Sequence, residues 1–185
     1  ATIVQSFTKI NEHLAVYKDI KLENVSVNTK NNNKINPTHY KLKLELYDDV
    51  KKDNITIDID YDTSSLCKNI QHCGIYDIII KHSDSNDIVT INEDSNFNEQ
   101  VKILSRIHKN NHVYIESIKF TKECIYNVCD DLESFIKLEI IFENKQKLEI
   151  FLGYEEEYFN DCHHSLPVVT SLMTNTNYFI YSTSI

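Results

Sequence analysis

The sequence predicts a mainly β fold, an antiparallel β-sandwich or barrel of about eight strands with one or two short helices. Three observations predict it. Apolar and polar residues alternate with period two through much of the chain, and the alternating runs are rich in β-branched and aromatic residues. Short stretches of Asn, Asp, Ser and Lys separate those runs, as turns between strands do.

Taken in chain order, the first segment, Ile3–Val16, is the least regular. Ile3, Phe7, Ile10 and Leu14 recur at helical spacing, but its Thr and Val content fits an edge-strand start equally well. Lys30–Pro37, with Asn31, Asn32 and Asn33 together, reads as a loop, so residues 1–36 read as an N-terminal arm and loop within one domain, 1–185. Tyr40, Leu42, Leu44 and Leu46 then alternate with Lys41, Lys43 and Glu45. Ile55, Ile57, Ile59 and Tyr61 alternate with Thr56, Asp58, Asp60 and Asp62 across the polar turn Tyr47–Asn54. Further strand-like runs are Ile75–Lys81, Ile88–Ile91, Val113–Phe120, Phe135–Phe142, Lys147–Tyr154 and Tyr178–Ser182, with Glu143–Gln146 as a turn. One helix is expected at Phe97–His108, where Phe97, Val101 and Leu104 follow the capping residues Asp94 and Ser95.

A chain of 185 residues buries roughly 70% of its unfolded surface, enough for a core without staples. Glycine and proline number two each, so the turns fall to Asn, Asp and Ser, which tolerate left-handed backbone. The formal net charge is −9, from 28 acids against 19 bases. Nucleic-acid binding needs a basic face, and anionic membrane attracts one too, so neither partner is expected. No stretch approaches the roughly 18 consecutive apolar residues of a spanning helix, so membrane insertion is not expected either. Residues 1–10 lack the features of a leader, and a leader removed before Ala1 is compatible with that.

The cysteines are Cys67, Cys73, Cys124, Cys129 and Cys162. Two close pairs and a single one suit two disulfides and a free thiol in a secreted protein, or five reduced thiols in a core. Bridges between the pairs are as compatible as bridges within Cys67–Cys73 and Cys124–Cys129, because such short loops close only across a sharp bend. Five residues separate Cys67 from Cys73, wider than the usual zinc step, and no metal or cofactor is expected. Asp161, Cys162, His163 and His164 form the most chemically varied run, but adjacent residues seldom supply both nucleophile and base. No phosphate-cradling glycine loop, nucleophile elbow or zinc-protease helix is present, so an enzyme is not expected.

Asp58, Asp60 and Asp62 share one side of an alternating strand, roughly 7 Å apart from one to the next. They lack the spacing and turning glycine of a calcium loop, and read as a solvated face available to a basic partner. Asp130, Asp131 and Glu133, with Glu155, Glu156 and Glu157, extend the acidic character near strand ends. The expected partner-binding residues are Asp58, Asp60, Asp62, Asp130, Asp131, Glu155, Glu156 and Glu157. Sequons at Asn24–Ser26 and Asn54–Thr56 occur at about the frequency that the Asn, Ser and Thr content gives by chance.

The short strands, acidity, paired cysteines and Asn/Ile/Lys-rich composition resemble the secreted immune-evasion β-sandwiches of poxviruses. The stretches Phe135–Phe142 and Cys124–Cys129 carry the resemblance, which spans Tyr40 to Phe159. It implies a secreted, non-enzymatic decoy that sequesters a basic chemokine or cytokine through an acidic face. The alternative reading is a cytoplasmic adaptor or assembly subunit with reduced cysteines. There the apolar residues in Leu166–Met173 and the C-terminal Tyr178–Ile185 run would make the contacts. A metal-dependent hydrolase using His163 and His164 is the third class.

Overall fold

The structure, a computed structural model, describes residues 4–29, 39–62, 78–82, 88–91, 113–126, 132–155 and 168–182. It begins with strand β1 (Val4–Ser6), a 3₁₀ turn (Phe7–Lys9) and helix α1 (Ile10–Leu14). Then come β2 (Ile20–Thr29), β3 (His39–Asp48), β4 (Asp53–Asp62), β5 (Ile78–His82) and β6 (Ile88–Ile91). Strands β7 (Ile115–Tyr126), β8 (Leu132–Phe142), β9 (Lys147–Glu155), β10 (Val168–Met173) and β11 (Tyr178–Ser182) complete the described chain. No helix among the described residues is long and apolar enough to cross a membrane.

These strands form a six-stranded sheet, in the order β1-β11-β10-β4-β3-β2, and a five-stranded sheet, in the order β6-β5-β9-β8-β7. Only the β1–β11 pairing is parallel; the others are antiparallel. Each sheet runs open from one edge strand to another among the described residues, so the barrel alternative does not hold. The strands also outnumber the eight or so expected, and the additions have local causes. In β2 a bulge between Leu22 and Asn24 shifts the buried set from Ile20 and Leu22 to Val25 and Val27, which breaks the period-two pattern. In β10 apolar residues occur on both sides of the strand, so alternation is lost, and β1 is only three residues long.

The apolar sides of both sheets supply one core. Leu42, Leu44, Leu46, Ile55, Ile57 and Ile59 from the six-stranded sheet join Ile136, Leu138, Ile140, Leu148, Ile150 and Leu152 from the other. Each fully buried aliphatic side chain contributes roughly 1.5–3 kcal/mol over exposure. Turns without glycine are closed by side chains. Asp48 Oδ1 accepts from the backbone N–H groups of Val50 and Lys51, both at 3.0 Å, in the β3–β4 connection. Asn144 Oδ1 accepts from Gln146 N–H at 3.1 Å in the β8–β9 connection. The left-handed positions that these turns require fall on Lys52 (φ 54°) and Lys145 (φ 70°), while Asp19 (φ 55°) precedes β2. Asn and Asp therefore act mainly as caps here, and a lysine later in the same turn takes the strained backbone, at roughly 1–2 kcal/mol per residue.

The N-terminal segment is part strand and part helix, divided at Ser6. Helix α1 buries Ile10 and Leu14, one turn apart, in the shared core. Its Asn11 carboxamide reaches the edge strand β7. Nδ2 donates to Phe120 O at 2.8 Å, and Oδ1 accepts from Phe120 N–H at 2.7 Å. One side chain thus replaces the peptide group of a neighbouring strand and covers the open edge at that residue. Phe7 adds an edge-on contact to the Phe120 ring, with centroids 5.4 Å apart. The expected helix at Phe97–His108 and the loop at Lys30–Pro37 lie outside the described residues.

Asn11→Ala leaves both Phe120 backbone groups without partners and is expected to cost roughly 2–3 kcal/mol. Urea unfolding followed by circular dichroism reads this as a lowered midpoint. Glu12→Ala, on the exposed side of the same helix, should stay within about 0.5 kcal/mol.

Candidate functional site

With the dry sides of the sheets buried, any binding chemistry falls to the outer faces, turns and edges. The two outer faces differ. On the five-stranded sheet Glu139 lies directly opposite Glu149, a like-charge pair. Lys137 lies between them, its Nζ 3.3 Å from Glu139 and 3.1 Å from Glu149, and Lys119 adds a contact to Glu139 at 3.7 Å. Lys81 Nζ lies 5.1 Å from the Phe151 ring centroid. Among the described residues, the carboxylates of Glu139 and Glu149 on this face are offset by lysines.

The outer face of the six-stranded sheet is graded across its strands. One row, read through the register, runs Val4, Ile180, Ser171, Asp58, Lys43, Ser26 from β1 to β2. The adjacent row carries Val169, Asp60 and Lys41 on β10, β4 and β3. The row on the other side carries Tyr178, Met173, Thr56, Glu45 and Asn24. The β1–β11–β10 half is therefore mostly apolar, β4 acidic and β3 mostly basic. Val4 is 62% exposed, Val169 38%, Met173 46% and Tyr178 47%. Among the described residues the other large exposed apolar side chains, Val16 and Val50, lie away from this face, after α1 and in the β3–β4 turn. The Tyr178 hydroxyl donates to Ser171 Oγ at 3.4 Å, so the polar tip is used while the ring stays open to solvent.

Asp58 and Asp60 do share the outward side of β4, and both are half-buried. Their strand neighbours are Lys43 and Lys41, so the face carries both signs of charge. Lys43 Nζ is 3.9 Å from Glu45 on its own strand, and Asp58 Oδ1 is shielded from solvent with no hydrogen-bond partner among the described residues. Asp62 ends β4 opposite His39, and Glu155 ends β9 opposite Glu133. Cys124 pairs with Ser134 along β7 and β8, its side chain lying outside the described set. Asp130, Asp131, Glu156, Glu157, Cys67, Cys73, Cys129, Cys162, His163 and His164 also lie outside the described residues. Among the described residues no group of three His, Cys, Asp or Glu side chains is arranged to hold a metal.

Sequence reasoning assigned the β10 and β11 side chains only as a general apolar region. Apolar residues on both sides of β10 concealed which set is outward. The register resolves it: Thr170 and Leu172 are fully buried, so Val169, Ser171 and Met173 point out. Within the C-terminal run Tyr178–Ile185, strand β11 (Tyr178–Ser182) lies between β1 and β10 of its own chain.

A second polar cluster lies at the turn end of the same sheet. Asp49 accepts from the Tyr114 hydroxyl at 2.6 Å, and its Oδ2 is 3.2 Å from Lys21 Nζ. Lys21 in turn sits 4.8 Å from the Tyr114 ring centroid. The Tyr114 hydrogen bond, then Lys21, holds the Asp49 carboxyl below its usual range, and the same bond raises the Tyr114 hydroxyl. This cluster ties β2, the β3–β4 turn and the entry to β7. Deeper in, burial and then Tyr17 push the Tyr181 hydroxyl up to about 12, and that hydroxyl hydrogen-bonds His13 Nδ1. Both clusters join elements to one another and present no unpaired nucleophile.

Compared with known proteins, the chain matches no family model, no curated protein and no solved structure.

Because the folded Asp49 carboxyl titrates below its unfolded value, its contribution is complete above the unfolded value of about 3.9. It is lost as pH falls from there through the lowered folded value. Urea midpoints measured from pH 6 to pH 2 should show a gap between the natural protein and Asp49→Asn that narrows only over that acidic interval.

Proposed function

We propose that this chain is a non-enzymatic protein-binding domain, its two sheets packed as a β-sandwich, that engages a basic protein through the outer face of β1, β11, β10 and β4. The observation that carries this reading is the clustering of Val4, Val169, Met173 and Tyr178, all exposed, on one corner of one sheet. Contiguous exposed apolar surface rimmed by polar residues is a mark of interaction sites. Tyr and Met are side chains that interfaces favour.

Charge argues for a basic partner. Asp58 and Asp60 border the apolar corner directly, through Ser171 and Val169, and the chain as a whole carries −9. A cationic group arriving at Asp58 would satisfy an oxygen that lacks a hydrogen-bond partner among the described residues. In this reading the apolar corner supplies most of the affinity, while the carboxylates raise the association rate and set the orientation. A secreted decoy for a basic chemokine or cytokine is the form of this function that the resemblance implies, and oxidised cysteines would accompany it.

Binding to immobilised basic chemokines and cytokines by surface plasmon resonance tests the reading. Met173→Ser and Tyr178→Ala should each weaken binding by roughly ten-fold or more, about 1.4 kcal/mol. Asp58→Asn with Asp60→Asn should lower the association rate and its salt sensitivity. Binding unchanged in all these variants would remove this face from the function.

A further inference from the structure

The chain has a single methionine, and it stands on the outer face of the six-stranded sheet. Methionine is ordinarily a core residue, its thioether shielded from solvent. Met173 instead ends β10 and is 46% exposed. Its strand neighbours are Thr56 on β4 and Tyr178 on β11. The preceding residue, Leu172, is fully buried and anchors this strand end in the core. In the turn that follows, Thr174 Oγ1 accepts from Asn177 N–H at 3.0 Å, and Asn175 N–H donates to Asp53 Oδ1 at 3.0 Å. None of these contacts uses the Met173 side chain, so chemistry at its sulfur alters the surface and leaves the fold in place.

We infer that Met173 is a redox-modification site, and that its oxidation to the sulfoxide by hydrogen peroxide reversibly switches off the outer face of β10 and β11. This regulation rests on the reading of that face given under Proposed function. In the step, a sulfur lone pair attacks one peroxide oxygen, and the S–O bond forms as the O–O bond breaks. The sulfur gives up two electrons, and the departing hydroxide takes the proton of the transferred hydroxyl and leaves as water. The product carries a strong hydrogen-bond acceptor in the middle of the apolar corner. Tyr178 stands ready to hold it. Tyr178 pairs directly with Met173 while its hydroxyl reaches Ser171, so its ring passes beside the methionine. The bond from that hydroxyl to Ser171 Oγ is 3.4 Å long, against about 2.7–2.8 Å for a typical O–H···O bond, and the sulfoxide oxygen offers a better acceptor. An apolar group of the partner would then have to desolvate a polar pair where it had met Met173 and a ring. A methionine sulfoxide reductase with a dithiol reverses the step, the oxygen leaving as water and the dithiol becoming a disulfide.

Graded treatment of the full chain with hydrogen peroxide tests the inference, read by peptide mass spectrometry, urea unfolding and surface plasmon resonance on immobilised basic chemokines and cytokines. Met173 should gain one oxygen at a rate close to that of N-acetylmethionine, with the urea midpoint unchanged. Affinity should fall by roughly ten-fold or more. Methionine sulfoxide reductase with dithiothreitol should restore it, and dithiothreitol alone should not. Met173→Leu removes the sulfur and keeps all five cysteines, so its affinity, at whatever level that substitution sets, should not respond to peroxide. A response in that variant would assign the effect to cysteine and overturn the inference. So would slow oxidation of Met173, a lowered urea midpoint, or equal binding by the treated and untreated protein. Untreated protein that binds none of the immobilised proteins would overturn the reading of the face itself, and the regulation with it.

Discussion

The fold depends on burial of one apolar layer between two sheets, to which nearly every described element contributes. Ile57 and Ile59 on β4, Ile140 on β8 and Ile150 on β9 are fully buried, and α1 extends the layer with Ile10 and Leu14. Truncating one such side chain to alanine costs roughly 2–5 kcal/mol, a large share of a domain's net stability. Period-two geometry then assigns every intervening residue to the outside. Surface chemistry on this protein is therefore set by what stands between the buried positions.

That constraint makes the contrast between the outer faces informative. On the five-stranded sheet, Lys137 offsets the apposition of Glu139 and Glu149. On the six-stranded sheet the sequence spends its outward positions on Val169, Met173 and Tyr178, residues with a desolvation gain still to be realised. Asp58 beside them has an oxygen shielded from water and unpartnered among the described residues. A protein surface that pairs a partner's apolar group with its cation would relieve both features at once.

The strands β3, β4 and β9 were legible because one side of each is apolar and the other polar, as in Leu42–Lys43–Leu44 and Ile57–Asp58–Ile59. β2 was hidden by one extra residue: the bulge after Leu22 changes the parity of its buried set, which no fixed-period reading follows. β10 was hidden for the opposite reason, since Val168, Val169, Leu172 and Met173 leave no polar side to mark the outside. The outward placement of Asp58 and Asp60 was readable from β4 alone, but their lysine neighbours were not, because strand register is a tertiary property. The Asn11 clamp on Phe120 spans 109 residues, and an asparagine in a short amphipathic segment gives no local sign of it.

The central claim is that the two sheets share one core and stand or fall together. Native-state hydrogen exchange in increasing denaturant tests it most directly, comparing the amides of Ile57 in β4 and Leu138 in β8. A shared core predicts that both report the same opening free energy, equal to that of global unfolding, with the same denaturant dependence. A distinctly lower value for either sheet, with a smaller denaturant slope, would show that one sheet opens while the other stays folded, and would contradict the account.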